Sequence, residues 1–282
     1  MRRTINMNTK NNIIGPPSIF PHDHYKVIKD ELLALHKLRP QKLIFVIGPP
    51  GVGKTSLLES FVRTVEGKGI SQVKWDLSKS DDEFLLPFLK GKQLGLGFTG
   101  SPIVDEGDAT FVCFDPADQL LELKSGCSGL RSLRRLQRLL ELANIIPVLF
   151  TDYVILDHIN NDPALNAASK ILHFRRYRQH EPEEAKCFYR TVANLEIRLG
   201  ISLMHHKKRL LELSLGSVGT MIRLILEATR RARDAGRKFG EDELLQASQT
   251  HYQRRKLLEH IVSYEDRIDG KAAVQGIFST AA

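Results

Sequence analysis

Apolar positions along the chain fall into four short runs, each ending at a residue with chemistry of its own. Residues 43–47 (LIFVI) are wholly apolar and partly β-branched and stop at a glycine, the pattern of a buried parallel strand. A helix over 54–65 is expected directly after it, so the segment reads as strand, loop, helix. Residues 72–77 suggest a second strand, 109–114 (ATFVCF) a third ending at Asp115, and 145–150 a fourth ending at Thr151. Helical spacing over 23–37 comes from Val27, Ile28, Leu32, Leu33 and Leu35, and Pro40 breaks it. Residues 128–143 carry a stronger stripe, with Leu130, Leu133, Leu136, Leu139 and Leu140 on one face and Arg131, Arg134, Arg135 and Arg138 on much of the other. A helix is also expected over DDEFLLPFLKGKQLGL, interrupted by Pro87. Alternating strands and helices imply an α/β unit, a parallel sheet flanked by helices.

After about Arg178 the strand signal ends, and helices are expected near 182–199, 203–213, 217–235 and 241–261. The expected organisation is therefore an N-terminal arm over 1–24, an α/β domain over 25–178, an all-helical domain over 179–262 and a tail over 263–282. The arm is Asn-rich and holds Pro16, Pro17 and Pro21, and residues 95–109 are Gly-rich and loop-like.

Composition changes this picture in three respects. A chain of 282 residues buries a sizeable core without disulfides or structural metal. The formal net charge of +8, from 41 Lys+Arg against 33 Asp+Glu, fits either a basic soluble protein or one with a polyanionic partner such as nucleic acid. Cys113, Cys127 and Cys187 are odd in number and lack CxxC spacing, which points to reduced thiols and a reducing compartment. The polar N-terminus has no apolar signal segment, and no run of about 18 apolar residues predicts a membrane span. The expected location is cytoplasmic.

The most specific chemistry lies after the first strand. Gly48, Pro49, Pro50, Gly51, Val52, Gly53, Lys54 and Thr55 fit G-x4-G-K-[ST], with Ser56 next in line. Glycines let the backbone curl so that successive N–H groups point at phosphate oxygens, and a helix beginning at Lys54 adds the positive end of its dipole. Lys54 is expected on the β- and γ-phosphates, and the Thr55 hydroxyl on Mg2+. The strand before the loop and the helix after it are the context this motif requires.

Asp115 ends the third strand, where most P-loop NTPases place the acid that orders the Mg2+ shell. The following position, often a glutamate that polarises the attacking water, is Pro116. Proline has no carboxylate, and Asp118 is displaced too far to replace one, so ATP binding with weak or absent hydrolysis is expected. Thr151 at the end of the fourth strand has the place of a γ-phosphate or water sensor, or of a simple turn hydroxyl.

Taken in order, GPPGVGKTSLL, FVCFDPADQLLE, RRLQRLLELANIIPVLFTDYVIL and GSVGTMIRLILEATRRARDAGRKFGEDELLQA resemble the AAA+ transposition regulators of the TniB/TnsC type, and more distantly the phage Mu B-type ATPases. The resemblance runs from about residue 22 to 250. It implies an AAA+ P-loop NTPase fold with a C-terminal helical lid, and ATP with Mg2+ as cofactors. Lys54 and Thr55 would be phosphate and metal contacts, Asp115 the Walker B acid, Thr151 sensor 1 and Arg223 sensor 2. Two positions depart from the family. Pro116 stands where its second acid is expected, and NDPALNAASKILHFRRY has no arginine at a clear finger position, with Lys170, Arg175 and Arg176 the nearest cations.

Family members assemble on double-stranded DNA with ATP at subunit boundaries, as rings or filaments of six or seven copies per turn, and recruit transposase and target-selector proteins. A head-to-tail contact that does not close makes a helix, and ATP at the seam links assembly to the ligand. Candidate DNA contacts are Lys79, Lys90 and Lys92, and a second group including Arg131 and Arg135. The resemblance favours a DNA-transposition regulator. A hydrolysing DNA-replication loader or other motor ATPase is the alternative, against which Pro116 weighs. A signalling NTPase would normally carry a further effector domain.

Overall fold

The computed structural model describes residues 22–65, 70–73, 110–115, 117, 133–134, 137 and 145–250. Five strands make one sheet: β1 (Leu43–Ile47), β2 (Ile70–Val73), β3 (Thr110–Phe114), β4 (Ile145–Thr151) and β5 (Ser169–His173). Their order is β2-β3-β4-β1-β5, and every pairing is parallel. All five residues of β1 are wholly buried, which explains why this strand reads as an unbroken apolar run rather than an alternation. Truncating one of its larger members, such as Phe45, to alanine would cost about 3–5 kcal/mol.

Helix α1 (Asp23–Leu38) packs on α2 (Lys54–Thr64) and on β5, placing Tyr25, Ile28 and Leu32 in the same core as the sheet. Two short helices, α3 (Ile155–Asn160) and α4 (Pro163–Ala167), lead from β4 to β5. Asp162 caps α4 by accepting from the Ala164 and Leu165 amides, and Arg134 binds the same carboxylate at 3.2 Å. Those bonds, the Leu165 amide foremost, hold the Asp162 carboxyl below its ordinary range. Leu133, Arg134 and Gln137 are helical, with Leu133 buried and Arg134 exposed, as the stripe over 128–143 predicts.

The second strand begins two residues earlier than expected, with Ile70 paired to Phe111 and Val73 to Phe114, and positions 74–77 of the expected run lie outside the described residues. The fifth strand was not expected at all. SKILH holds two apolar residues among polar ones and forms a half-buried edge, so pairing with β1 creates it rather than any apolar run.

Beyond Phe174 the chain enters a second apolar cluster that begins at Tyr177. It is built by α5 (Pro182–Leu199), a 3-10 turn (Met204–His206) running into α6 (Lys207–Ser214), α7 (Val218–Asp234) and α8 (Glu241–Thr250). Helix α7 shows how the sequence makes this unit. Val218, Met221, Leu224, Ile225, Ala228 and Ala232 recur at helical spacing and are its buried residues. No helix among the described residues is long and apolar enough to cross a membrane.

Candidate functional site

The site forms at the carboxyl end of β1, the edge at which parallel α/β sheets place ligands. Ile47 lies opposite Thr151 on one side and His173 on the other, so the chain leaves β1 between the ends of β4 and β5. The Gly48 amide donates to the Thr151 carbonyl at 3.3 Å, and the Phe174 amide donates to the Ile47 carbonyl at 2.7 Å. A Cβ at Gly48 would overlap the Phe174 carbonyl oxygen, so only glycine fits that exit. Gly51 and Gly53 have φ of +81° and +111°, the left-handed region that makes the curl possible. Helix α2 then starts at Lys54, with Leu57 donating to the Gly53 carbonyl at 2.8 Å.

Every carbonyl of this loop has a donor. The Lys54 ammonium rests on the Gly48 carbonyl and, at 3.3 Å, on that of Pro49. The Pro50 carbonyl accepts from the Ser217 hydroxyl at 3.2 Å. The Gly51 carbonyl accepts from the Gly219 amide at 2.7 Å. The Val52 carbonyl accepts from His22 Nε2 at 3.3 Å. In a trans peptide the C=O and the following N–H point opposite ways. Carbonyls turned outward to these donors turn the amides of Gly51, Val52 and Gly53 toward the hollow of the loop. The Val52 amide makes one long contact of 3.5 Å with the Pro49 carbonyl. The first-turn amides of α2 lie beside them and have no intrahelical acceptor. The arrangement is a cradle for an anion with several oxygens.

His22 ties the cradle to the rest of the protein. A carbonyl only accepts, so Nε2 carries the hydrogen, and Nδ1 faces the Tyr177 hydroxyl at 3.0 Å. Its ring stacks on Phe174 at 5.6 Å, and His24 stacks on Tyr177 at 4.3 Å. Burial, helped by the neighbouring His24, pushes His22 down to about 4, so the imidazole is neutral near pH 7. His173 is pushed to about 3, again chiefly by burial, and lies 2.7 Å from the Tyr153 hydroxyl. His22 to His24, expected in an extended arm, are thus packed residues. The remainder of that arm, 1–21, lies outside the described residues.

Asp115 directly follows β3, and Phe114 pairs with Leu149 of β4. With β4 between β3 and β1, the acid lies two strand spacings from the loop, roughly 10 Å. Thr151 is fully buried at the end of β4, beside Gly48. Thr55 is exposed and Ser56 half-buried in the first turn of α2. Among the described residues no group of three or more His, Cys, Asp or Glu could hold a metal. A Mg2+ ion that keeps several waters and binds phosphate oxygens needs only one or two protein ligands, which Thr55 and Asp115 can supply.

No family model and no curated protein matches the chain. Solved structures do. RuvB of Thermotoga maritima, in a single-residue variant, is 12% identical with a TM-score of 0.51, covering 80% of this chain and 67% of its own. The Walker-type ATPase of Pyrococcus abyssi is 13% identical with a TM-score of 0.52, covering 90% and 77%. A second Thermotoga maritima RuvB variant, 13% identical, has a TM-score of 0.51 over 90% and 82%. The chain has the AAA+ P-loop ATPase fold.

Within the AAA+ fold the C-terminal helical unit is the lid, and Arg223 lies on its helix α7, exposed. It stands one helical turn, about 6 Å, beyond Gly219 and so beyond the point where the lid meets the loop. Of the three cations weighed for a trans-acting role, Arg176 is buried, and Lys170 and Arg175 are half-buried on and after β5. Arg134 is engaged by Asp162. Pro116 and the DNA-contact candidates Lys79, Lys90, Lys92, Arg131 and Arg135 lie outside the described residues. The residues that sequence reasoning missed are His22, Ser217 and Gly219. Only Gly219 left a trace, in the GSVG that opens the last of the four family-like segments.

Proposed function

We propose that this AAA+ chain is an ATP-binding regulator of DNA transposition, which assembles on double-stranded DNA in an ATP-dependent way and recruits transposase and target-selector proteins. The observation that carries the nucleotide half is the polarity of the loop. Its carbonyls from Gly48 to Gly53 are all taken by protein donors, so what it offers a ligand is amide N–H and the Lys54 ammonium. A triphosphate matches that set of donors. Lys54 exchanges the carbonyls of Gly48 and Pro49 for β- and γ-phosphate oxygens. Thr55 and Asp115 would hold Mg2+, which would supply neutralisation of phosphate charge. In this reading Thr151 would sense the γ-phosphate, and Arg223 would reach it from the lid.

The DNA half rests on the resemblance in sequence order, on the net charge of +8 and on a shared fold with RuvB, which is described as a Holliday junction branch migration motor. Pro116 in place of a water-polarising acid supports weak or absent hydrolysis. The fold shared with that motor also favours a second reading, a hydrolysing DNA motor or loader. Electron microscopy of the protein with duplex DNA, with and without ATP, alongside phosphate release, separates the two. ATP-dependent rings or filaments with negligible turnover support the regulator. Brisk turnover lost in Lys54→Ala supports the motor, and neither assembly nor DNA binding would sink the transposition reading. Pro116→Glu is expected to raise phosphate release above the parent.

A further inference from the structure

The cradle is not self-supporting. Pro49 and Pro50 have no N–H, so the loop peptides able to present an amide before α2 are 50–51, 51–52 and 52–53. The carbonyls of these three peptides are the ones held from outside the loop, by Ser217, Gly219 and His22. The two carbonyls of peptides without an amide are held from within it, by Lys54. The division follows function along the chain.

Ser217 departs from ordinary helix chemistry in a way that fits. It is the N-cap of α7, a position where serine normally accepts from its own helix's amides, yet it makes no such bond. Its hydroxyl donates instead to Pro50 and accepts from the Thr220 hydroxyl at 3.0 Å. The Gly219 amide, a helix-end donor without an intrahelical acceptor, is satisfied by Gly51. The approach is so close that a Cβ at Gly219 would overlap the Gly51 carbonyl, and one at Gly51 would lie 2.7 Å from the Thr220 hydroxyl and 2.8 Å from that of Ser217.

We infer that Ser217, Gly219 and His22 are positioning residues, a clasp that turns three loop peptides so that their amides face the phosphates and thereby couples lid placement to nucleotide affinity. The inference rests on the nucleotide-binding reading above. It makes the lid a determinant of affinity through main-chain geometry, apart from any side chain that reaches the ligand. Moving α7 away frees the Pro50 and Gly51 carbonyls, and the 50–51 and 51–52 peptides lose the restraint that orients them. Nucleotide binding in turn holds the lid down, because coupling between two sites is reciprocal.

The test measures ATP·Mg2+ affinity by calorimetry and, in nucleotide-free protein, hydrogen exchange of the residue-219 amide, whose bond to the Gly51 carbonyl closes the clasp. Ser217→Ala and His22→Phe are each expected to weaken ATP binding by about three- to tenfold, the worth of one hydrogen bond, and to speed exchange of the Gly219 amide. His22→Gln, which retains a side-chain N–H, is expected to stay near the parent. Gly219→Ala is expected to show the largest loss. If it does not fold, the Ser217 and His22 variants decide. Folded variants with parental affinity and parental exchange overturn the clasp. A parent that binds no nucleotide overturns the reading beneath it, and the exchange arm then judges the clasp alone.

Discussion

His22 is an imidazole that folding takes out of water, His173 is half-buried against the Tyr153 hydroxyl, and for both the change has a sign. Burial lowers them from 6.5 to about 4 and about 3. Below about pH 6.5 the unfolded chain therefore binds more protons than the folded one, and stability rises with pH through that window. The contribution is complete above the unfolded value and is lost as pH falls toward the folded values. For His22 it is on the order of 3 kcal/mol. Urea midpoints near pH 7 and pH 4.5 should fall steeply in the parent and less steeply in His22→Gln. An equal slope in both would show that His22 is not the buried neutral group described. Lys54 illustrates the same scale from the other side: its place in the G-x4-G-K-T motif is legible from its neighbours alone. Nothing in Pro21-His22-Asp23 announces that the imidazole bonds a carbonyl 30 residues away.

At the scale of elements, junctions between helices and strands decide where the lid stands. Gly216, just before α7, has φ of +76°, and a Cβ there would collide with the Tyr177 carbonyl. Its own carbonyl accepts from the Tyr177 amide at 3.1 Å, which pins the start of α7 to the segment joining the two apolar clusters. Gly216→Ala should cost roughly 2–4 kcal/mol in denaturant unfolding, from strain and overlap together. A cost no larger than that of Gly200→Ala, where the φ is also positive but no atom stands within 4 Å, would contradict this. The link is reinforced at the first turn of α5, where Glu184 accepts from the Arg178 amide at 2.7 Å and pairs with its guanidinium at 3.2 Å. Burial works against the ionised Glu184, but those Arg178 bonds prevail and keep its carboxyl below the ordinary range. The strands show which elements periodicity can find. β1 and β4, buried along their whole length, stand out as apolar runs, whereas β5 is an edge whose residues are mostly half-buried.

For the whole molecule, the excess of eight positive charges becomes a property of association. If the protein binds duplex DNA through phosphates, affinity should fall at least about tenfold as monovalent salt rises from about 50 to about 200 mM. It should change little between unrelated sequences of equal length. Fluorescence anisotropy with two such duplexes, in the presence of ATP, checks both. A salt-independent or strongly sequence-selective signal would move the interface away from the phosphate backbone. ATP dependence of the same signal would tie it to assembly, since a ligand shared between copies favours the assembled state.

The motif over 48–55 could be read before any fold was known, because its glycines, lysine and threonine fall together within eight contiguous positions. The strand-end positions of Asp115 and Thr151 were legible for a related reason: each closes an apolar run, and the carboxyl end of such a run is where parallel sheets gather their polar groups. The partners of the loop's carbonyls were beyond reach. Every residue carries a carbonyl, so acceptors leave no mark in the sequence, and Ser217 meets Pro50 across 167 positions only because α7 packs where it does. Chain-local chemistry can be read in order along the polypeptide. Which distant donors complete it is settled by packing.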